Sequence, residues 1–268
     1  MSIPDLPFHW FFASVEDVKS DPKNLGRVKV RIINAHDFDE VNTEELLYAQ
    51  IMMPGNHASF QQVGGSPTGL EIGTKCIGFF MDGNRKQTPV IMGTIHTIPG
   101  NKAENHSVHN LAREKQSLDS KNTLEEGKDS KVKEPASAYG AKYYDNKTFT
   151  TSSGHVVEID DTAGAERIHI YHKSGTYFEI NNSGRTVLKN VDDYYEIDAK
   201  NKHVLVKGNI ILEVNGNVEE YIHGNLTRKI AGDVNYEIGG SFNMTAQGGY
   251  NLESSSATIK ASRIDFKE

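Results

Sequence analysis

Only one cysteine, Cys76, occurs in the 268 residues. This excludes an intramolecular disulfide and any multi-cysteine metal site. Set among apolar residues in TKCIGFFM, the thiol is expected to be buried and structural. No run of about 18 apolar residues exists, so no helical membrane span is expected. A mean hydropathy of -0.54 points to a soluble chain. The start, MSIPDLPFHWFFASVED, has no basic lead and no long apolar stretch, so a secretory signal is not expected. Basic excess is also missing. Lys+Arg is 29 against Asp+Glu 36, a net charge of -7. Divided at residues 100 and 140, the chain has 8 basic and 11 acidic residues, then 7 and 7, then 14 and 18. No segment is basic overall, which argues against nucleic acid as a partner.

What is present falls into three pieces. Residues 1–100 read as all-β. Apolar or β-branched runs (Phe11 to Val15, Val28 to Ile33, Leu46 to Met53, Cys76 to Met81, Pro89 to Ile95) are separated by turn formers. Five short strands in this span suit a small closed barrel. VKVRI at 28–32 alternates, which predicts Val28, Val30 and Ile32 inside and a half-buried strand with Lys29 and Arg31 outside. Residues 101–140 have no aromatic except Tyr139 and few large aliphatics. They cannot bury much surface themselves and are expected to be a polar linker laid over a neighbour, marking a domain boundary.

Residues 141–268 hold a repeat, which takes precedence over other fold signals. From Val206 to Glu253 the chain divides into octads: VKGNIILE, VNGNVEEY, IHGNLTRK, IAGDVNYE, IGGSFNMT, AQGGYNLE. Glycine takes the third place each time: Gly208, Gly216, Gly224, Gly232, Gly240 and Gly248. The first place holds Val206, Val214, Ile222, Ile230, Ile238 and Ala246. The fifth holds Ile210, Val218, Leu226, Val234, Phe242 and Tyr250. Glycine every eighth residue would weaken a helix by about 1 kcal/mol each relative to Ala. Each octad is therefore expected to be one short strand plus one turn, with apolar places one and five as shaft core. The glycine is expected to take a positive φ or to admit a second backbone closely. One octad is too short to close a core. Three chains winding together would bury more surface and close the lateral edges that invite aggregation, so a homotrimer is expected. Before the octads, HVVEID, RIHIYH, TYFEIN, TVLKN and DYYEID are expected as short strands. ATIKASRIDF is expected to finish the shaft.

Chemistry-bearing constellations are sparse. Asp160-Asp161 and Asp192-Asp193 are paired carboxylates, but adjacent strand residues face opposite ways; turn or surface roles are expected. No G-x-S-x-G is present, and Cys76 has no evident histidine partner. No catalytic residue, metal or cofactor is expected. His106 and His109, and His169 and His172, are three apart; on a strand the second pair would face opposite ways. His223 is expected to be solvated. Phe8, Trp10, Phe11 and Phe12 lack the basic neighbours of a single-strand binding groove, so burial or docking on a partner is expected.

Three stretches carry a resemblance. DPKNLGRVKVR at 21–31, GLEIG at 69–73, and FMDGN at 80–84 followed by PVIMG at 89–93 resemble the oligonucleotide/oligosaccharide-binding (OB) barrel of contractile-tail phage central spikes. That barrel is shared with the valine-glycine-repeat spike of type VI secretion. TSSGHVVE at 151–158 through DDTAGAERI at 160–168 resembles the entry to the spike's trimeric β-helix, and the octads resemble its shaft. The resemblance implies an all-β homotrimer. Residues 1–100 would be a five-stranded OB-fold barrel, 101–140 a linker, and 141–268 a triple-stranded intertwined β-helix. It implies an envelope-puncturing spike of a phage tail baseplate, made in the host cytoplasm and carried in the virion. The barrel would dock on a hub protein, and a tip protein at the C-terminus is allowed for. Some phage spikes carry a lysozyme domain between barrel and shaft; here only the linker stands there. Secretion-system relatives carry a hub before the barrel; this chain starts at the barrel. Some family spikes hold iron through a His-x-His near the C-terminus, and SRIDFKE has no histidine. A type VI secretion or tailocin spike is the nearest alternative. A carbohydrate-binding or depolymerising β-helix would need aromatics and carboxylates along one face, which the octads do not supply.

Overall fold

A computed structural model describes residues 8–58, 69–95, 130–142 and 145–264. The chain divides into two units, Met1–Glu213 and Val214–Glu268. The strands found among the described residues all lie in the first unit. Five of them close a barrel: β1 (Trp10–Asp17), β2 (Val28–Ile32), β3 (Tyr48–Ile51), β4 (Lys75–Phe80) and β5 (Pro89–Ile95). The order is β1-β2-β3-β5-β4, closed by the β1–β4 pair. Every pair is antiparallel except β3 with β5, which is parallel. The expected apolar runs match these strands to within two residues at each end. Inward positions alternate along each strand, and Ala13, Val15, Val30, Ala49, Cys76 and Ile91 meet in the core. Cys76 is buried as expected. Its thiol donates to the Ala13 carbonyl at 3.5 Å, and burial pushes its pKa up to about 11, so it is inert. No helix among the described residues is long and apolar enough to cross a membrane.

The DPKNLGR stretch between β1 and β2 folds around one carboxylate. Asp21 accepts from the backbone N–H groups of Lys23, Leu25 and Arg27 and from the Arg27 guanidinium. Asn24 and Gly26 turn the chain with φ of 51° and 70°. The Arg27 hydrogen bond holds the Asp21 carboxyl well below the usual carboxylate range.

One expectation here is corrected. β2 is buried on both faces, not half-buried; Lys29 and Arg31 are 6% and 5% exposed. The outward face is roofed by residues 37–45. Arg31 pairs with Glu16 and donates to the carbonyls of Asp37 and Val41 at 3.0 and 2.8 Å. The Lys29 ammonium donates to the carbonyls of Thr43 and Glu44 at 3.2 and 2.6 Å. Alternation reports polarity, and polar side chains this well partnered can be buried.

The other five strands form an antiparallel meander: β6 (Asn146–Thr150), β7 (Val156–Asp160), β8 (Arg167–Tyr171), β9 (Tyr177–Asn181) and β10 (Thr186–Lys189). The expected turns around Gly164, Gly175 and Gly184 are present, each with φ in the left-handed region. β6 was not foreseen, because NKTFT has one aromatic among polar residues and no apolar alternation. DYYEID at 193–198 was expected as a strand and is not one; among the described residues no strand pairs with it. Beyond β10 no strand forms among the described residues.

Gly78 marks a close approach at the irregularity of the β4–β5 ladder. A Cβ there would lie 2.2 Å from the Val90 carbonyl oxygen and 2.6 Å from Phe11 Cζ. Gly93, on β5, has nothing within 4 Å of the same position. Gly78→Ala is expected to destabilise the barrel by at least about 1–3 kcal/mol, the usual cost of overpacking. Gly93→Ala should be near neutral. Parallel denaturant melts of the two variants check this, and equal midpoints would contradict it.

Candidate functional site

The β6–β10 sheet has its polarity reversed. Val157, Ile159, Ile168, Ile170 and Leu188 share one face in register, flanked by Phe149, Phe178 and Ile180. The first five are 40–54% exposed. The opposite face carries Glu158, Asp160, Arg167, His169, Glu179 and Lys189, all 8% exposed or less. A contiguous exposed apolar face is the ordinary mark of an interaction surface.

Residues 130–142 cover the charged face. The Ser137 hydroxyl and Ala138 N–H donate to Glu179 at 2.6 and 3.3 Å. Glu134 accepts from Lys189 and the Tyr177 hydroxyl at 2.6 and 2.9 Å. Lys142 N–H donates to Thr162 Oγ1 at 3.0 Å. The described end of the expected linker thus lies over a neighbour; the stretch 101–129, with His106 and His109, is outside the described residues. Beneath the cover, the Arg167 guanidinium joins Glu158 at 2.7 Å and Glu179 at 3.2 Å, with the Tyr139 ring 4.9 Å away. His169 Nδ1 is 3.4 Å from Glu158. Burial pushes the Glu179 carboxyl up, but hydrogen bonds from Ser137, Ala138 and Arg167 outweigh it, so its pKa lies below 4.5. Of the turn or surface roles expected for the pair, Asp160 takes the turn role while buried: it is 2% exposed and its carboxylate accepts from Thr162 N–H, two residues on. Its neighbour Asp161 faces out and pairs with Lys147.

The octads show a regular backbone without strands. The chain bends at 207–208, 215–216, 223–224, 231–232, 239–240 and 247–248, each time on the repeat glycine. Two earlier bends, at 191–192 and 199–200, keep the same spacing with Asp192 and Lys200 in the glycine place. The sequence pattern had missed both, since only glycine marked the phase. Arg228 pairs with Glu220 at 3.2 Å, the same seventh place of consecutive octads, so those two octads lie side by side. From Asp192 to Ile264 every residue is exposed. Val206, Val214, Ile222, Ile230 and Ile238 are 45–56% exposed; Ile210, Val218, Leu226, Val234 and Phe242 are 49–74% exposed. No backbone–backbone hydrogen bond joins the described residues 192–262. Of the two roles expected for the repeat glycines, positive φ is not found: none of the six has one, and a Cβ on any of them meets nothing within 4 Å among the described residues.

On the barrel, Phe11 is buried, while Phe8, Trp10 and Phe12 are 52–56% exposed. Phe8 stacks on Phe79 at 4.6 Å and meets Trp10 edge-on at 4.9 Å. Phe8, Trp10 and Phe12 rim an open cleft of about 730 Å³ that also includes Ile33, His36 and Lys86. His169 and His172 do not converge: His169 is buried, whereas His172 lies outside against the ring of His155 at 4.4 Å. His223 is exposed. No cluster of three metal-binding side chains occurs among the described residues.

Comparison with known proteins agrees with this architecture. The family described as Gp5 N-terminal OB domain matches residues 34–160. Protein Gp5 of Vibrio phage KVP40 is 32% identical over 267 residues, which is 77% of this chain and 63% of that protein. The pre-baseplate central spike protein Gp5 of Enterobacteria phage T4 is 44% identical over 77 residues, 29% of this chain and 13% of that protein. The chain therefore spans less than two thirds of the length of either relative. Its resemblance to phage baseplate central spike proteins is shown by these matches, together with an all-β structure and a closed five-stranded barrel.

The lowered Glu179 pKa has a consequence for stability. A carboxyl whose folded pKa is depressed stabilises the fold above its unfolded value and loses that contribution as pH falls through the folded value. Melting temperature should therefore fall as pH drops below about 4.5. The fall should be shallower for Glu179→Gln. Identical pH slopes for the two proteins would remove Glu179 from the account.

Proposed function

We propose that this chain is a structural component of a contractile phage tail baseplate: a homotrimeric central spike whose octads form a three-chain intertwined β-helix. The observation that carries this reading is the octad array. It places apolar side chains and unpaired backbone on the surface of a single chain, at a strict period of eight. Buried backbone polar groups in native proteins are nearly all hydrogen-bonded, and apolar faces of this extent are covered. Two further copies would meet both demands, since each supplies a strand to every layer. The apolar face of the β6–β10 sheet would be covered in the same assembly, at the entry to the shaft.

The function of such an object is mechanical. Each octad would be hydrogen-bonded to neighbours on other chains, so withdrawing one chain would break contacts with two others. Stiffness under tail contraction follows, and with it the capacity to puncture the host envelope. The barrel, with its exposed Phe8, Trp10 and Phe12, would dock on the baseplate hub. We assign no catalytic role to any of the described residues.

Light scattering of the purified chain should give the mass of a trimer. A monomer at micromolar concentration would overturn the reading. The glycine requirement is tested within the array. If a neighbouring chain approaches Gly224, Gly224→Val costs about 1–3 kcal/mol of overpacking per copy, or about 3–9 kcal/mol per trimer. Asn225→Ala should cost little, because that place is Asp, Ser or Gly in later octads. Trimer yield and melting temperature of the two variants decide it; a wild-type-like Gly224→Val would show that the glycines are not spaced for a partner. Purified chain should also leave a peptidoglycan suspension turbid, and clearing would contradict the structural assignment.

A further inference from the structure

The covered face of the sheet contains a place built for one small ligand. Asn146, Asp160 and Arg167 lie side by side on β6, β7 and β8; Asn146 pairs with Asp160, and Asp160 with Arg167. Paired strand residues lie about 4.5–5.5 Å apart. All three are buried, at 0%, 2% and 2% exposed. Each is held by part of its polar group. Asn146 Nδ2 donates to Glu158 at 3.2 Å. Asp160 Oδ1 accepts from Thr162 N–H at 3.0 Å. The two Arg167 Nη groups donate to Glu179 and Glu158. The remaining atom of each makes no hydrogen bond: Asn146 Oδ1, Asp160 Oδ2 and Arg167 Nε. Turning the Asn146 amide over does not help, because Oδ1 would then face the Glu158 carboxylate.

Leaving such atoms unmet in an interior costs about 1–3 kcal/mol each. What they ask for is specific: two acceptors and one N–H donor, on adjacent strands. A metal cation would satisfy the oxygens and leave the Arg167 N–H facing positive charge. A halide would satisfy Arg167 and face two oxygens. A water molecule gives two protons and takes one, the usual number of partners for a buried water. We propose that this row binds an internal water, which accepts from Arg167 Nε and donates to Asp160 Oδ2 and Asn146 Oδ1. The water would tie β6, β7 and β8 together at one level, beside the Arg167 ion pairs. The site lies within one chain and stands whether or not the chain is a trimer.

A crystal structure of the whole chain, at a resolution that shows ordered solvent, tests this directly. The expected result is a solvent peak in each copy within about 2.7–3.2 Å of all three atoms. Arg167 Nε donating straight to Asp160 Oδ2, with no peak between, overturns the proposal. In solution, oxygen-17 relaxation dispersion counts long-lived internal waters. Asn146→Leu should remove one per chain, and an unchanged count overturns the proposal. If Asn146→Leu does not fold, the density in the unaltered chain decides.

Discussion

The Arg167 guanidinium sets the polarity of everything around it. A buried cation must be paired and hydrogen-bonded, or the sheet that carries it does not form. Its two partners, Glu158 and Glu179, come from the strands on either side and must face the same way as Arg167. Alternation then leaves Val157, Ile159, Ile168 and Ile170 no choice but the opposite face. Residues 130–142 add a roof of hydrogen-bonding groups that suits charge and would be useless over isoleucine. The sheet thus spends its own chain on covering its polar side and leaves the apolar side outward. A monomeric protein would gain by the reverse arrangement. In the proposed assembly something apolar would cover the other face, and the ion cluster and that assembly would then belong to one design.

Hydrophobic burial would drive that assembly, while the buried charges would specify its geometry. Replacing a buried ion pair by apolar residues is often neutral or stabilising, so Arg167 is not needed for stability as such. Our hypothesis is that it fixes register. A slip of one residue in β8 would bring Ile168 to the glutamates and Arg167 to the apolar face. Trimer yield without mixed registers in Arg167→Leu, read by limited proteolysis, would show that register is fixed elsewhere.

How far the sequence foretold this depends on what each residue's neighbours are. The barrel strands were legible because inward residues such as Val28, Val30 and Ile32 alternate with polar ones. The burial of Lys29 and Arg31 was not, because their partners, the Glu16 carboxylate and the carbonyls of residues 37–44, lie on other segments and leave no mark in VKVRI itself. The hairpins at Gly164, Gly175 and Gly184 were legible as turn chemistry. β6 was not, since NKTFT is defined by the Asn146–Asp160 pairing and not by its own pattern. Alternation in RIHIY correctly separated two faces, but nothing in it says which face is covered; that depends on residues 130–142, some thirty positions upstream. The octad period was the clearest signal, yet its phase was drawn from glycine, and glycine turned out to mark less than the full run of bends.

That discrepancy bears on what the glycines are for. Bends occur at 191–192 and 199–200 with Asp192 and Lys200 in the third place, so the backbone does not need glycine to turn. None of the six repeat glycines has a left-handed φ, so no side chain is excluded by backbone strain. Space does not exclude one either, because a Cβ would meet nothing within 4 Å among the described residues. With torsion and self-contact among the described residues both removed as reasons, the trimer proposed above offers another: close approach by atoms outside the chain, which glycine alone would admit. On the proposed trimer, that approach would begin at Gly208 and recur at every layer to Gly248. The two earlier bends would belong to a wider collar where Asp192 and Lys200 still fit. The change from charged residue to glycine at a fixed place would then record where three chains draw together from a collar into a shaft.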